Sequence, residues 1–239
     1  MIYADNAATT KMSKTAVDAM MSVITENYGN PSSLYSIGQR AKEILEEARA
    51  TVADVIGAQP QEILFTSGGS EADNQAILSA AALGRKNGKM HIVSTAFEHH
   101  AVLHTLEKLK KEGFEITLMD VHEDGLVRPE ELEKALREDT CLVTVMFANN
   151  EIGTVQPIRE IGEICRKHGV LFHTDAVQAV GLGQHKRHPE FPVVIRESCY
   201  TSRKTTWFPV IARCSPVPLQ RLRRSPTLGI GVRNGTCHP

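Results

Sequence analysis

Between residues 62 and 174, short and nearly continuous apolar runs alternate with segments of helical periodicity. The runs 62–66, 90–94, 114–118, 141–147 and 170–174 read as strands. The intervening segments read as helices: an alanine-rich stretch to about Arg85, a segment from about His99 to Lys111, one opening at Arg128-Pro129-Glu130, and one from Pro157 to His168. Proline suits the first turn of a helix, where its missing N–H has no intrahelical acceptor. Strands apolar on both faces are covered on both faces. The predicted fold class is therefore α/β, a mainly parallel sheet with helices on both sides. Two helices precede it. Residues 13–27 carry Ser13 as a cap and Ala16, Val17, Met20, Met21 and Ile24 at helical spacing. Residues 38–56 place Ala41, Ile44, Leu45, Ala48, Val52 and Val55 on one face, with Gly57 as the stop.

Polar residues stand at the ends of the apolar runs, and in an open α/β sheet those ends border the ligand crevice. Ser67-Gly68-Gly69-Ser70-Glu71 joins a strand to a helix. It reads either as a capping turn or as a phosphate site, where glycine admits an anion to a helix N-terminus and Ser70 adds a hydroxyl. It is neither G-x-G-x-x-G nor a P-loop. Asp175 follows Val170–Thr174. It reads as an N-cap or as the partner of a protonated ring nitrogen, since a buried acid needs a partner. Gln178 presents an amide to the same place if a helical turn starts there. Asn149-Asn150-Glu151 is a polar loop or a ligand edge. His99 is a surface histidine or a ring that stacks on a ligand and moves protons. A metal at His99, His100 and His104 lacks a convincing third ligand. A flat, phosphorylated, nitrogen-containing ring would suit the set as a whole.

Composition bounds the rest. No apolar run approaches the ~18 residues of a membrane span, and Met1-Ile2-Tyr3-Ala4-Asp5 is neither a signal nor a transit peptide; the expectation is a cytoplasmic protein. The five cysteines, 141, 165, 199, 214 and 237, show no zinc spacing and read as buried or incidental thiols. The net charge of −1 conceals an asymmetry. Residues 1–180 carry 17 Lys and Arg against 26 Asp and Glu, whereas residues 181–239 carry 10 against 2 and hold seven of the 11 prolines. Such a shift marks a boundary near Gly181. Phe191–Ile195 has strand composition, though Pro192 excludes a central strand. A nucleic-acid-binding tail is disfavoured, because its basic residues are dispersed and Trp207 is the only Trp.

Asp5–Thr10, Tyr28–Ser33, Thr66–Glu71, Phe97-Glu98-His99, Asn149–Gly153 and His173–Gln178, in this order and spacing, resemble cysteine desulfurases. These are pyridoxal-phosphate enzymes of fold type I in the class V aminotransferase superfamily. The resemblance implies a cofactor-binding large domain over residues 1–181. Gly69 and Ser70 would hold the cofactor phosphate, His99 would stack on the ring, Asn150 and Gln178 would bond its 3′-oxygen, and Asp175 would pair with its nitrogen. The loop at Asn30 would lie near substrate or a partner subunit. It further implies L-cysteine as substrate, alanine and a persulfide as products, a homodimer, and a sulfur-acceptor protein serving iron–sulfur or thio-cofactor synthesis. The family's Ser-x-His-Lys is absent. The nearest match, Thr201-Ser202-Arg203-Lys204, makes Lys204 the candidate Schiff-base lysine, with Lys186 the other tail lysine. The persulfide-cysteine loop and the small C-terminal domain are not recognisable. Residues 182–239 are therefore expected to be an aberrant, basic, proline-rich tail from a truncated or frame-shifted gene, leaving the desulfurase impaired. Alternatives are a non-catalytic, cofactor-binding or dimerising remnant, which would pair with a full-length paralogue, and a selenocysteine lyase or other class V aminotransferase.

Overall fold

In the computed structural model, the described residues are 2–5, 9 and 11–179, together with the backbone of 194–195 and 210–212. Two helices open the chain, α1 (Lys14–Glu26) and α2 (Ser36–Ile56). Ser13 caps α1 by accepting from the Ala16 N–H at 3.2 Å. Gly57 ends α2 in the left-handed region, at φ 72°. Of the apolar stripe read on α1, only Ala16 is buried; Val17, Met21 and Ile24 stay exposed, because none of the described residues covers them. On α2 the buried stripe is rotated, taking in Ala53 and leaving Val55 exposed.

The alternating segment follows: β1 (Ile63–Phe65), α3 (Gly69–Lys86), β2 (His91–Thr95), α4 (His100–Lys111), β3 (Glu115–Met119), α5 (Pro129–Ala135), β4 (Thr140–Thr144), α6 (Ile158–Lys167) and β5 (Leu171–His173). Four strands form a parallel sheet in the order β3-β2-β4-β5. Successive residues of each strand serve opposite faces. Ile92 and Leu142 pack under α3 and α4 with Ile77, Val102 and Leu106. Val93 and Val143 pack under α5 and α6 with Leu132, Ile161 and Phe172. Running outward from β2 to β3 and then back to β4 and β5 reverses direction, so crossovers of one hand place α4 on one face and α5 and α6 on the other.

β1 departs from the sequence reading. It leaves the parallel sheet and pairs antiparallel with β7 (Val210–Ala212), which pairs in turn with β6 (Val194–Ile195). β6 stands at the edge of these three strands, and Pro192 lies outside the described residues. The expected run 141–147 also divides. Its ladder ends at Thr144, but Val145 and Phe147 still donate to the His173 and Asp175 carbonyls at 3.1 and 2.8 Å. No helix of the described residues is long and apolar enough to cross a membrane.

Candidate functional site

The sheet reverses direction between β2 and β4, and the crevice beyond their carboxyl ends is where a ligand enters such a fold. Glu98 and His99 follow β2, Asn149 and Asn150 follow β4, and Asp175 follows β5. Three hydrogen bonds tie the segments together. Glu98 Oε1 accepts from the Met146 N–H at 2.8 Å, the Phe97 carbonyl accepts from Asn149 Nδ2 at 3.1 Å, and the Asp175 carbonyl accepts from the Phe147 N–H at 2.8 Å.

The two adjacent amides have separate surroundings. Asn149 is buried, and its Oδ1 accepts from the Glu151 and Ile152 N–H groups at 2.8 and 3.0 Å. It holds the turn that Gly153 completes at φ 76°, a conformation costly for other residues. Gln156 pins the returning arm, donating to the Gly125 carbonyl and accepting from the Val127 N–H. Asn150 is half-buried and makes no hydrogen bond among the described residues, which leaves its amide for a ligand.

Asp175 is 3% exposed, and Oδ1 accepts from the Val177 N–H at 3.0 Å. That bond closes a turn of the kind Asp side chains form with the N–H two residues on, and it fixes the carboxylate at the strand end. Gln178 lies half-buried in the turn that follows, closed by Ala179 N–H to the Ala176 carbonyl.

α3 starts at Gly69, buried, with Ser70 exposed beside it. Gly68 precedes them with φ −177°, a conformation any residue adopts, and carries no side-chain cap. A Cβ added there would meet nothing within 4 Å. Neither backbone strain nor packing asks for glycine at this position, whereas an anion on the free N–H groups of the first turn would. Ser67 donates its N–H and hydroxyl to Glu71, which holds that carboxylate below its ordinary value. Asn74 donates to the Ser70 carbonyl and accepts from Thr105 on α4, linking cradle to stacking helix.

His99 is the N-cap of α4, and its Nδ1 accepts from the Ala101 N–H at 3.1 Å. A backbone N–H only donates, so Nδ1 carries a lone pair and the neutral ring holds its proton on Nε2. His100 and His104 stack at 6.0 Å between centroids. No set of three metal-binding side chains is present among the described residues.

Three buried neighbours of the site were given no role of their own by the sequence. Glu98 is wholly enclosed, and burial above all, with Asp175 and Asp73 nearby, pushes its carboxyl up to about 8. Asp73 of α3 and His173 of β5 are both buried, 3.7 Å apart, and His173 Nδ1 lies 2.6 Å from Thr144 Oγ1. The signals were present: Asp73 shares the buried stripe of Ile77, and His173 interrupts an apolar strand. Cys141 and Cys165 are buried as expected, and burial pushes their thiols up to about 11 and about 12, so neither offers a thiolate at neutral pH. Lys204, Lys186, Cys199, Cys214 and Cys237, with most of the expected tail, lie outside the described residues.

The aminotransferase class-V family model matches residues 2–187. The cysteine desulfurase IscS of Methanosarcina thermophila is 53% identical over 180 residues, covering 75% of this chain and 44% of that protein. That of Clostridium botulinum (strain Hall) is 50% identical over 180 residues, covering 75% and 45%. Among solved structures, a NifS-like protein superposes with a TM-score of 0.73 at 41% identity, over 75% of this chain and 50% of that one. A structure of SspA in complex with cysteine gives 0.70 at 37% identity, over 75% and 51%. The chain spans just under half the length of the desulfurase relatives it matches.

Proposed function

The chain belongs to the class-V aminotransferase family, with IscS- and NifS-type proteins among its relatives, and on that premise we propose that residues 1–181 form the pyridoxal-phosphate-binding domain of a cysteine desulfurase. The observation that carries this reading is the uncapped start of α3 at Gly68, open to an anion. One turn further on, Asp73 reaches the strand whose end bears the buried Asp175.

The residues suit the cofactor. Gly69 and Ser70 bind the phosphate through N–H groups and a hydroxyl at the positive end of α3. Asp175 holds a proton on the ring nitrogen by ion pairing. Asn150 and Gln178 bond the ring 3′-oxygen. His99 stacks on the ring and moves a proton at Nε2. The electron sink for substrate carbanion chemistry is what pyridoxal phosphate supplies when bound; the protein orients and tunes it. The substrate is L-cysteine and the products are L-alanine and protein-bound persulfide sulfur, passed to an acceptor for iron–sulfur or thio-cofactor synthesis. Lys204 is the proposed covalent anchor, and the active form is a cytoplasmic homodimer. The expected impairment of this chain, with its divergent residues 182–239, belongs to the same proposal.

Absorption spectra of the purified chain with pyridoxal phosphate, followed by borohydride reduction and peptide mapping, test this. The expected result is a visible band fixed by reduction onto Lys204. Cofactor that binds but labels no lysine leaves the site and removes the desulfurase activity. Absence of binding sinks both. Gly68→Ala sharpens the test: stability stays within about 0.5 kcal/mol of wild type, while affinity for pyridoxal phosphate falls at least tenfold.

A further inference from the structure

Resting on the cofactor site above, we propose that Glu98 is its positioning residue: the carboxyl joins the ends of β2 and β4 across the crevice and so sets the His99 ring relative to Asn150 and Asp175. Glu98 is 4% exposed. Its Oε1 accepts from Thr95 Oγ1 at 2.7 Å, at the last residue of β2, and from the Met146 N–H at 2.8 Å, two residues past β4. One oxygen therefore receives a donor from each side of the switch point. The Phe97–Asn149 bond closes the same gap one residue away on the first strand and three on the second.

The geometry reaches His99 directly. His99 is the next residue, and as N-cap of α4 its ring is tied to the Ala101 N–H. The ring direction is thus inherited from the backbone that the Glu98 bracket holds. Burial raises the carboxyl and favours its neutral form. Oε1 has two donors, whereas the buried Oε2 has no hydrogen-bond partner among the described residues, so Oε1 alone forms the bracket. Asp175 and Asp73, the charged groups that act on it, are both acids and favour the protonated form. Glutamine reproduces this shape with the same acceptor, while leucine keeps the bulk and deletes it.

The full chain is compared as wild type, Glu98→Gln, Glu98→Leu and Thr95→Val, the last removing a single donor as a milder change. Equilibrium dialysis gives the affinity for pyridoxal phosphate, and visible circular dichroism of the bound cofactor reports ring orientation. The His99 ring ¹⁵N resonances are followed in the cofactor-free protein. We expect Glu98→Gln within threefold of wild type with the same dichroism. Glu98→Leu weakens binding at least tenfold, alters the dichroism and shifts the His99 resonances, and Thr95→Val falls between. Leucine and valine variants that keep wild-type affinity, dichroism and His99 resonances overturn the proposal. So does a glutamine variant that falls as far as leucine, since charge rather than the bracket would then matter. If the wild type binds no pyridoxal phosphate the site reading fails, and the His99 resonances alone still decide whether Glu98 places that ring.

Discussion

Asn149 satisfies four neighbours with one side chain, donating to the Phe97 carbonyl and, weakly, to Met146 Sδ, and accepting from two N–H groups of its own turn. Asn150, adjacent, leaves its amide unbonded among the described residues. Asn149→Ala strands two backbone donors and an acceptor, and should lower stability by about 2–3 kcal/mol. Asn150→Ala should stay within about 0.5 kcal/mol in the same urea titration, yet weaken pyridoxal phosphate binding in dialysis. Equal losses of stability would remove the distinction. Glu98 predicts a pH dependence. Unfolded, it releases its proton near the ordinary 4.5; folded, it keeps it to about 8. The folded state binds the extra proton between those values, so this group's stability is full below about pH 4.5 and is lost as pH rises through 8. At about 1.4 kcal/mol per pKa unit, Glu98→Gln should gain several kcal/mol on wild type between pH 4.5 and 9, read from urea midpoints. Parallel pH profiles for the two would contradict a buried protonated acid. Sequence alone marked Asn150 and Asp175, because both end apolar runs. It left Glu98 without a role, since an acid beside a histidine looks the same whether it faces solvent or Met146.

Helices and parallel strands came through with bounds within two or three residues, because each has its own period and punctuation: Ser13 at one end of α1, Gly57 after α2, Pro129 opening α5. Contacts between elements did not. Gly84 in α3 looks like a weak point in an alanine-rich helix, where alanine would be better by about 1 kcal/mol. In the fold, a Cβ there would sit 2.6 Å from Cys141 Cβ and 2.8 Å from the Lys89 carbonyl. Gly84→Ala therefore has to separate α3 from β4, and should cost about 1–3 kcal/mol despite its propensity. A thermal melt with unchanged or higher midpoint would refute that packing argument. β1 gives the matching lesson for strands. Its Ile63-Leu64-Phe65 reads like the other apolar runs, yet it pairs with residues 210–212. A three-residue strand carries no information about its partner.

Across the molecule, a ligand that bridges the start of α3 and the ends of β2, β4 and β5 should stabilise them together. Pyridoxal phosphate at about 100 times its dissociation constant should add about 2.7 kcal/mol. In a thermal melt the midpoint should rise for wild type and, at the same concentration, much less for Gly68→Ala. A rise equal in both would place the ligand elsewhere. The sequence by itself determined the α/β class, the order of helices and parallel strands to residue 174, and the residues at the strand ends, because period, turn residues and burial pattern are local properties. Its motifs also marked the family. Tertiary structure decided which strand ends meet: the order β3-β2-β4-β5 brings Glu98 to Met146 and Phe97 to Asn149. It alone raised the Glu98 carboxyl and set Asp73 beside His173, because desolvation and charge proximity depend on neighbours distant in the chain.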